Sequence, residues 1–337
     1  MVPFALKWQV DLGQEMLPLA PALLPDAVVL PLANALAWVA LASGRIVHCV
    51  PDRPRVVAVM PFGDGAVAAH QDGAATWVEA FDALGRQRWR TRLDLGVGMD
   101  CLQAADERVL VVGTDAQGLQ AAWLDVDGRD VARWPLPAAD LRLHRGSVYC
   151  ALSAPVDGHT GVMELADGRP QWQVDAAAFC WGLDGASGVL DTWNGWQASS
   201  ELVGFSLDDG AVRFRAAGGP NAALLPAGGR LAHLETAATG PVVVLREMRD
   251  GAVLWRSAPV GADEPGLFGR CSGAATLLAD DVVVWLHGRG LVRLALADGT
   301  HRGTMALQSL PPAGVTATPQ GLLVRWDRQL SMLALTP

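Results

Sequence analysis

The chain has 337 residues, 26 basic and 35 acidic side chains, a net charge of −9, and 51% hydrophobic residues. With no basic stripe and no interleaving of arginine with aromatic residues, this balance argues against a nucleic-acid partner and favours solubility. Its 13 Trp, 37 Gly and single Tyr suit many short strands and tight turns. The length alone would allow two domains, but no Ser-rich or charge-rich linker interrupts it, so one domain over residues 1–337 is expected.

In chain order, the amino terminus lacks both a basic segment and a continuous apolar core of the signal-peptide kind, which predicts a cytoplasmic protein. Phe4 to Asp11 reads as a strand. The span Met16 to Ala42 is apolar, but Pro18, Pro21, Pro25, Asp26 and Pro31 interrupt it. Strands separated by turns explain it better than a spanning helix of about 20 apolar residues. Lys7 is the only lysine. The arginines are scattered, as in Arg86, Arg88, Arg90 and Arg92, whose spacing places them on the outward face of one strand.

The stretch Gly161 to Asp175 reads as a β-hairpin. Asp167-Gly168 supplies its turn, since Gly accepts positive φ and Asp tolerates the neighbouring position. After the turn, Trp172 and Val174 alternate with Gln171 and Gln173, the period of two expected of a half-buried strand. The same turn recurs at Gly44, Gly85, Gly128, Gly168, Gly210, Gly251 and Gly299, with separations of 41, 43, 40, 42, 41 and 48 residues. Asp precedes the Gly at Asp127, Asp167, Asp209, Asp250 and Asp298. An apolar residue stands three before it at Leu41, Leu165, Leu207, Met248 and Leu296. Four residues after it come Trp89, Trp172, Phe214 and Trp255, with His48, Ala132 and Gly303 in the remaining copies. A period of roughly 40 to 50 residues with about four strands per unit marks an all-β fold, the β-propeller, whose four-stranded antiparallel blades bury their faces only against neighbours.

The C-terminal segment supplies two more strands, Leu322 to Trp326 and Leu330 to Leu335, and then stops where another turn is due. The missing outer strand lies at the other end: Trp8-Gln9-Val10-Asp11 repeats Trp172-Gln173-Val174-Asp175. Leu6 to Val10 is therefore expected to pair with Leu330 to Leu335 and to close an eight-bladed ring, at roughly 42 residues per blade.

This Asp-Gly turn followed by Trp resembles the quinoprotein-like, or PQQ-like, repeat, and the resemblance covers essentially the whole chain. It implies that Trp8, Trp89, Trp172 and Trp255, with Phe214, dock blade to blade. Enzymatic members hold a quinone cofactor with two adjacent cysteines, a stacked Trp and a calcium ion. This sequence has no Cys-Cys pair, so the resemblance is to the non-catalytic branch, which serves as assembly platforms without cofactor or metal. Some bacterial propellers of this kind belong to multi-protein systems beside an ATPase and a von Willebrand A-type protein.

The five cysteines, Cys49, Cys101, Cys150, Cys180 and Cys271, have no metal-ligand spacing and read as small buried side chains in a reducing compartment. No nucleophile elbow, phosphate loop or His-Glu-x-x-His motif occurs. In the propeller arrangement the Asp-Gly turns share one end with the loops joining first and second strands. The other end collects His70-Gln71-Asp72, Thr114-Asp115, Asp157-Gly158-His159, Asp191 to Ser200, Glu235-Thr236, His287-Gly288-Arg289 and Asp327-Arg328. His70, His159 and His287 could converge there on a metal, although isolated loop histidines are usually solvated.

The most site-like loop is Asp191-Thr-Trp193-Asn194-Gly-Trp196-Gln197, where two Trp stand beside amide and carboxylate groups suited to stacking and hydrogen bonding. Blade packing by the Trp side chains and turn formation by Asn194-Gly195 is the commoner reading of such residues. The longest interval holds a second candidate, an excursion with Phe268 and Arg270. The expected function is that of a non-enzymatic scaffold binding other proteins, with neither nucleic acid nor membrane as partner. The alternative is a small-ligand or sugar binder, or an enzyme, with its site around Asp191 to Trp196.

Overall fold

The computed structural model describes residues 4–336 apart from 73–74, 99–100, 106, 137–139, 146, 154–159, 167–168, 176–179, 192–200, 219–224, 238–239, 261–274, 279, 287–289 and 307–313. Among the described residues the chain forms eight four-stranded antiparallel sheets. Sheet I contains Ala22–Leu23, Ala27–Leu32, Ala35–Ala40 and Ile46–Pro51, and sheet II contains Val56–Phe62, Gly65–Asp72, Ala75–Phe81 and Gln87–Leu93. Sheet III follows with Leu102–Ala105, Arg108–Asp115, Gly118–Leu124 and Asp130–Pro135, and sheet IV with Asp140–His144, Ser147–Ser153, Thr160–Ala166 and Arg169–Asp175. Sheet V comprises Cys180–Asp184, Ser187–Asp191, Glu201–Ser206 and Val212–Ala217, and sheet VI Leu225–Ala227, Arg230–Ala237, Gly240–Glu247 and Val253–Arg256. Sheet VII is Ala275–Leu278, Asp281–Leu286, Gly290–Ala295 and His301–Met305.

Sheet VIII draws on both termini: Gly314–Thr318, Gly321–Arg325 and Gln329–Leu335 are joined by Phe4–Asp11 as the fourth strand. The register sets Leu6 opposite Leu333 and Val10 opposite Leu330, the pairing expected from the repeated Trp-Gln-Val-Asp. The hairpin at the centre of the sequence analysis is also present, with Glu164 opposite Trp172 and Val162 opposite Val174. The apolar span after Met16 forms strands, and no helix among the described residues is long and apolar enough to cross a membrane.

Both faces of a middle strand are buried, because each sheet packs against two others. The strand Ala27–Leu32 is buried throughout: Val28 and Leu30 face sheet VIII, whereas Val29 faces sheet II. Apolar clusters join sheets I and II, II and III, III and IV, and IV and V. Others join V and VI, VI and VII, and VII and VIII. A further cluster joins sheet VIII to sheet I through Leu323, Leu330, Met332, Val28, Leu30 and Val39. Burial of this apolar area at roughly 25 cal/mol per Å² is the main stabilising term.

The fourth strand carries the contact that the turn spacing foreshadowed. Trp8 of sheet VIII lies on Gly44 of sheet I, Trp89 on Gly128, Trp172 on Gly210, Phe214 on Gly251 and Trp255 on Gly299, and His48 takes this role on Gly85. The indole N–H groups of Trp8, Trp89 and Trp255 donate to the backbone carbonyls of Leu41, Val126 and Leu296 at 2.7–2.8 Å. Thus Leu41 and Leu296 accept through their backbone while their side chains pack into the apolar clusters, whereas Val126 is exposed. Leu41 N–H donates to Asp26 O, and Leu296 N–H to Asp280 O, in the loop between first and second strands.

Turn chemistry differs between copies. In sheets V, VI and VII the Asp before the Gly accepts a backbone N–H two residues on, from Ala211, Ala252 and Thr300. In sheets II and III that task falls to Asp82 and Asp125, three residues before the Gly, each accepting two backbone N–H bonds. These shorter turns are the copies in which the apolar residue is missing from that position.

Candidate functional site

Each sheet has two ends. At the turn end lie the Gly turns and the loops from first to second strand. At the crossover end the second strand turns into the third, and the chain passes to the next sheet. Backbone bonds lace the crossovers to these turns: Leu12 and Met16 donate to Arg328 O and Asp327 O in sheet VIII, and Leu17 then donates to Pro31 O in sheet I. Asp327 and Arg328 therefore sit in a crossover-end turn as expected.

The crossover from sheet I to sheet II holds two of the three non-glycine residues with positive φ among the described residues. Asp52 and Arg55 both hold left-handed backbone, with φ of 56° and 53°, a conformation that costs of order 1 kcal/mol or more for a residue with a Cβ. Arg53 N–H donates to Asn34 O, and Gln71 N–H to Arg55 O, which ties the segment to both sheets. Between them the Arg53 side chain reaches inward and pairs with Glu79 at 2.6 Å.

Glu79 is fully buried, and Arg90 approaches its other carboxylate oxygen at 3.0 Å while lying 3.9 Å from the centre of the Trp77 ring. Burial pushes the Glu79 carboxyl up, but His70 and the Arg53 guanidinium together outweigh it, and its pKa falls below 4.5. His70 stands 3.7 Å from Glu79, too far for a hydrogen bond, and neither of its ring nitrogens has a hydrogen-bond partner among the described residues. His70 is 3% exposed inside the strand Gly65–Asp72, so it is not the loop histidine expected. Arg88, Arg90 and Arg92 do share the exposed face of their strand, from which Arg90 reaches Glu79 and Arg88 pairs with Asp64, while Arg86 pairs with Asp82 just before the strand.

Sheet VI contains a related cluster. Arg246 donates to His233 Nε2 at 3.0 Å and to Glu235 at 2.7 Å, and Arg256 pairs with the same carboxylate at 3.3 Å. Burial first, and Arg246 second, push His233 down from 6.5 to about 4, so its ring is neutral at pH 7 and accepts the Arg246 hydrogen. Glu235, placed in a loop by the sequence, lies within the strand Arg230–Ala237. In sheet VII the buried Asp281 pairs with Arg293 and Arg302, both at 2.9 Å. Arg293 also donates to Thr336 O, and Arg325 of sheet VIII to Leu19 O. Burial pushes Arg325 down to about 10, which leaves it charged at neutral pH.

These charges mainly tie the strands of one sheet to each other, with Arg53, Arg293 and Arg325 reaching crossovers or the next sheet; none of them presents a nucleophile beside a base. Among the described residues no group of three or more His, Cys, Asp or Glu side chains could hold a metal ion. Cys101 and Cys150 are buried as expected, but Cys49 is exposed, because its place on the fourth strand of sheet I faces away from the neighbouring sheets.

Asp191 lies at the crossover end of its strand, 2% exposed, opposite Cys180. Trp193, Asn194, Trp196, Phe268 and Arg270 lie outside the described residues, as do Asp157, His159 and His287. One pairing position from Asp191 the structure adds residues that the sequence did not single out. Trp181 pairs with Leu190, and the exposed Arg142 of sheet IV lies 4.9 Å from its ring centre. Both belong to first strands, 39 residues apart in sequence, and no local pattern signals their meeting.

No family model matches the chain, and no curated protein does. Similar solved structures include BamB from Moraxella catarrhalis, at 17% identity and a TM-score of 0.66 over 99% of this chain and 98% of that one. The computationally designed Ika8 protein is similar at 12% identity and a TM-score of 0.67, over 96% of this chain and 100% of that one. Sqt1 of Saccharomyces cerevisiae is similar at 10% identity and a TM-score of 0.66, over 100% of both chains. At such identities the likeness shows the fold alone: the chain is a β-propeller.

Proposed function

We propose that this chain is a single-domain, eight-bladed propeller of the non-catalytic quinoprotein-like kind, closed by its two termini, and that it works as a cytoplasmic scaffold binding other proteins. Pairing of Phe4–Asp11 with Gln329–Leu335, and the apolar cluster between sheets VIII and I, support the closed ring. The observation that carries the scaffold reading is that the buried ionic clusters are occupied in joining strands and sheets. Glu79 is neutralised by Arg53 and Arg90, and Asp281 by Arg293 and Arg302, so these charges brace a platform. The reading excludes catalysis, nucleic acid and membrane as its business, and a bacterial ATPase-associated assembly is the context that its family resemblance suggests.

The crossover end of sheets IV and V is the proposed contact face. There an exposed arginine stacked on Trp181 adjoins the segment that begins at Asp191. An arginine on an aromatic ring is a frequent anchor at protein interfaces. The test compares affinity capture from the native cell by the wild-type chain and by a Trp193→Ala, Trp196→Ala variant with an unchanged melting temperature. A stoichiometric partner lost only from the variant supports the reading. Identical captures overturn the placement of the face, and a bound cofactor or metal in the purified protein favours the small-ligand or enzyme alternative.

A further inference from the structure

The first strand of each sheet pairs on one side only, with the second, and in the closed ring proposed above the first strands line a central channel. They carry very little charge. Arg142 is their only lysine or arginine, and their acidic residues are Asp140, two places before it, and Asp184. The Asp184 carboxylate accepts the Gly229 N–H, and the ring of His144, their one histidine, sits 2.8 Å from Gly185 O, so both are committed to the turn end. On the other first strands Val57, Met60, Gln103, Leu277 and Thr316 are partly exposed and neutral.

Arg142 is exposed and yet held in place. Its guanidinium carbon lies 4.9 Å from the ring centre of Trp181, which is itself buried. Stacking fixes the guanidinium without using its N–H groups. Among the described residues Arg142 has neither a carboxylate nor a carbonyl partner. The buried arginines of second and third strands differ in this respect: Arg246 pairs with Glu235, Arg293 with Asp281, and Arg325 donates to Leu19 O. A positioned cation with free donors, among largely neutral walls that screen it poorly, attracts an anion.

We propose that Arg142 anchors a carboxylate of a protein partner, an Asp or Glu on a segment that enters the channel and lays apolar side chains against its neutral walls. The proposal rests on the scaffold reading and names the chemistry of the partner. Energetics select a segment over a free small acid. A lone exposed ion pair gains no more than about fivefold in affinity, too little to retain a small carboxylate. A segment that excludes water from the pair raises its contribution to about tenfold or more and adds apolar contact of its own.

The test titrates the full chain into a labelled short peptide alternating Glu and Leu, and into its Gln-for-Glu counterpart, and reads fluorescence anisotropy. The expected result is saturable binding of the acidic peptide, at least about tenfold tighter than the neutral one. Arg142→Gln, checked for an unchanged melting temperature, should bring the two peptides level. Arg213→Gln, which removes an exposed charge from the fourth strand of sheet V, should leave the difference intact. No preference for the acidic peptide, or a preference that survives Arg142→Gln, overturns the proposal. Acetate that binds as tightly as the peptide overturns the choice of a segment and leaves a small acid as the ligand. A partner captured from the native cell equally well by wild type and Arg142→Gln, yet lost from Trp193→Ala, Trp196→Ala, overturns the anchor while sustaining the scaffold reading.

Discussion

Trp8 lies so close over Gly44 that a β-carbon on the glycine would stand 2.6 Å from Cε3 of the indole. Gly44 also has φ of 69°, and so does Gly13, around which a β-carbon would find no atom within 4 Å. The pair separates backbone strain from docking. Gly13→Ala should cost about 1 kcal/mol, the strain of left-handed backbone. Gly44→Ala should cost roughly 1–3 kcal/mol more, because the indole must also move. Urea unfolding of the two variants checks this, and equal losses would mean that the indole contact contributes nothing.

Trp172 fills the equivalent slot on Gly210, with its ring 5.9 Å from Tyr149 and 6.0 Å from Phe205. Trp172→Ala removes a contact between sheets IV and V and leaves a cavity, at an expected cost of roughly 3–5 kcal/mol. A loss below about 1 kcal/mol in a denaturant titration would contradict this docking.

Stability should fall on mild acidification because of His233. Its pKa drops from 6.5 to about 4 on folding, so the folded state binds fewer protons than the unfolded chain between those values. The contribution is whole above pH 6.5 and is lost as pH falls to about 4, a change of about 3 kcal/mol. His233→Gln keeps an acceptor for Arg246 but does not titrate. Its urea midpoint should therefore vary less than that of the wild type between pH 6.5 and 4.5, before the carboxylates protonate. Parallel profiles would rule His233 out as the source.

Deleting residues 1–11 removes the fourth strand of sheet VIII, together with Phe4, which is 3% exposed, and the Trp8 hydrogen bond to Leu41. Terminal truncations are ordinarily tolerated. Here the expected outcome is aggregation and a broad, lowered melting transition by circular dichroism, since the deletion bares the edge of Gln329–Leu335 and uncovers Gly44. A truncated chain that melts as sharply and as high as the full one would show that closure does not depend on the amino terminus.

Much of this architecture is written locally. Gly at positive φ fixes where a hairpin turns, alternation with a period of two fixes which side chains share a face, and the copied Trp-Gln-Val-Asp at Trp8 marks the strand that completes sheet VIII. Each of these signals acts within a few residues, so the strand pattern and the pairing of the termini could be read before any packing was known. The partners of Glu79 could not. Arg53 comes from a crossover 26 residues earlier, Arg90 and His70 from the strands on either side, and only the assembled sheet with its crossover makes them converge. Arg142 and Trp181 likewise meet because first strands of successive sheets stand side by side. Cys49 and Glu79 mark the limit from both sides: one sits in an apolar strand and faces water, the other carries a charge and is buried. Sequence by itself determined the repeat, because turns and alternation are short-range. Tertiary structure alone decided which side chains are buried and which charges meet, because burial depends on the neighbouring sheet and charge pairing on which strands and crossovers the fold sets side by side.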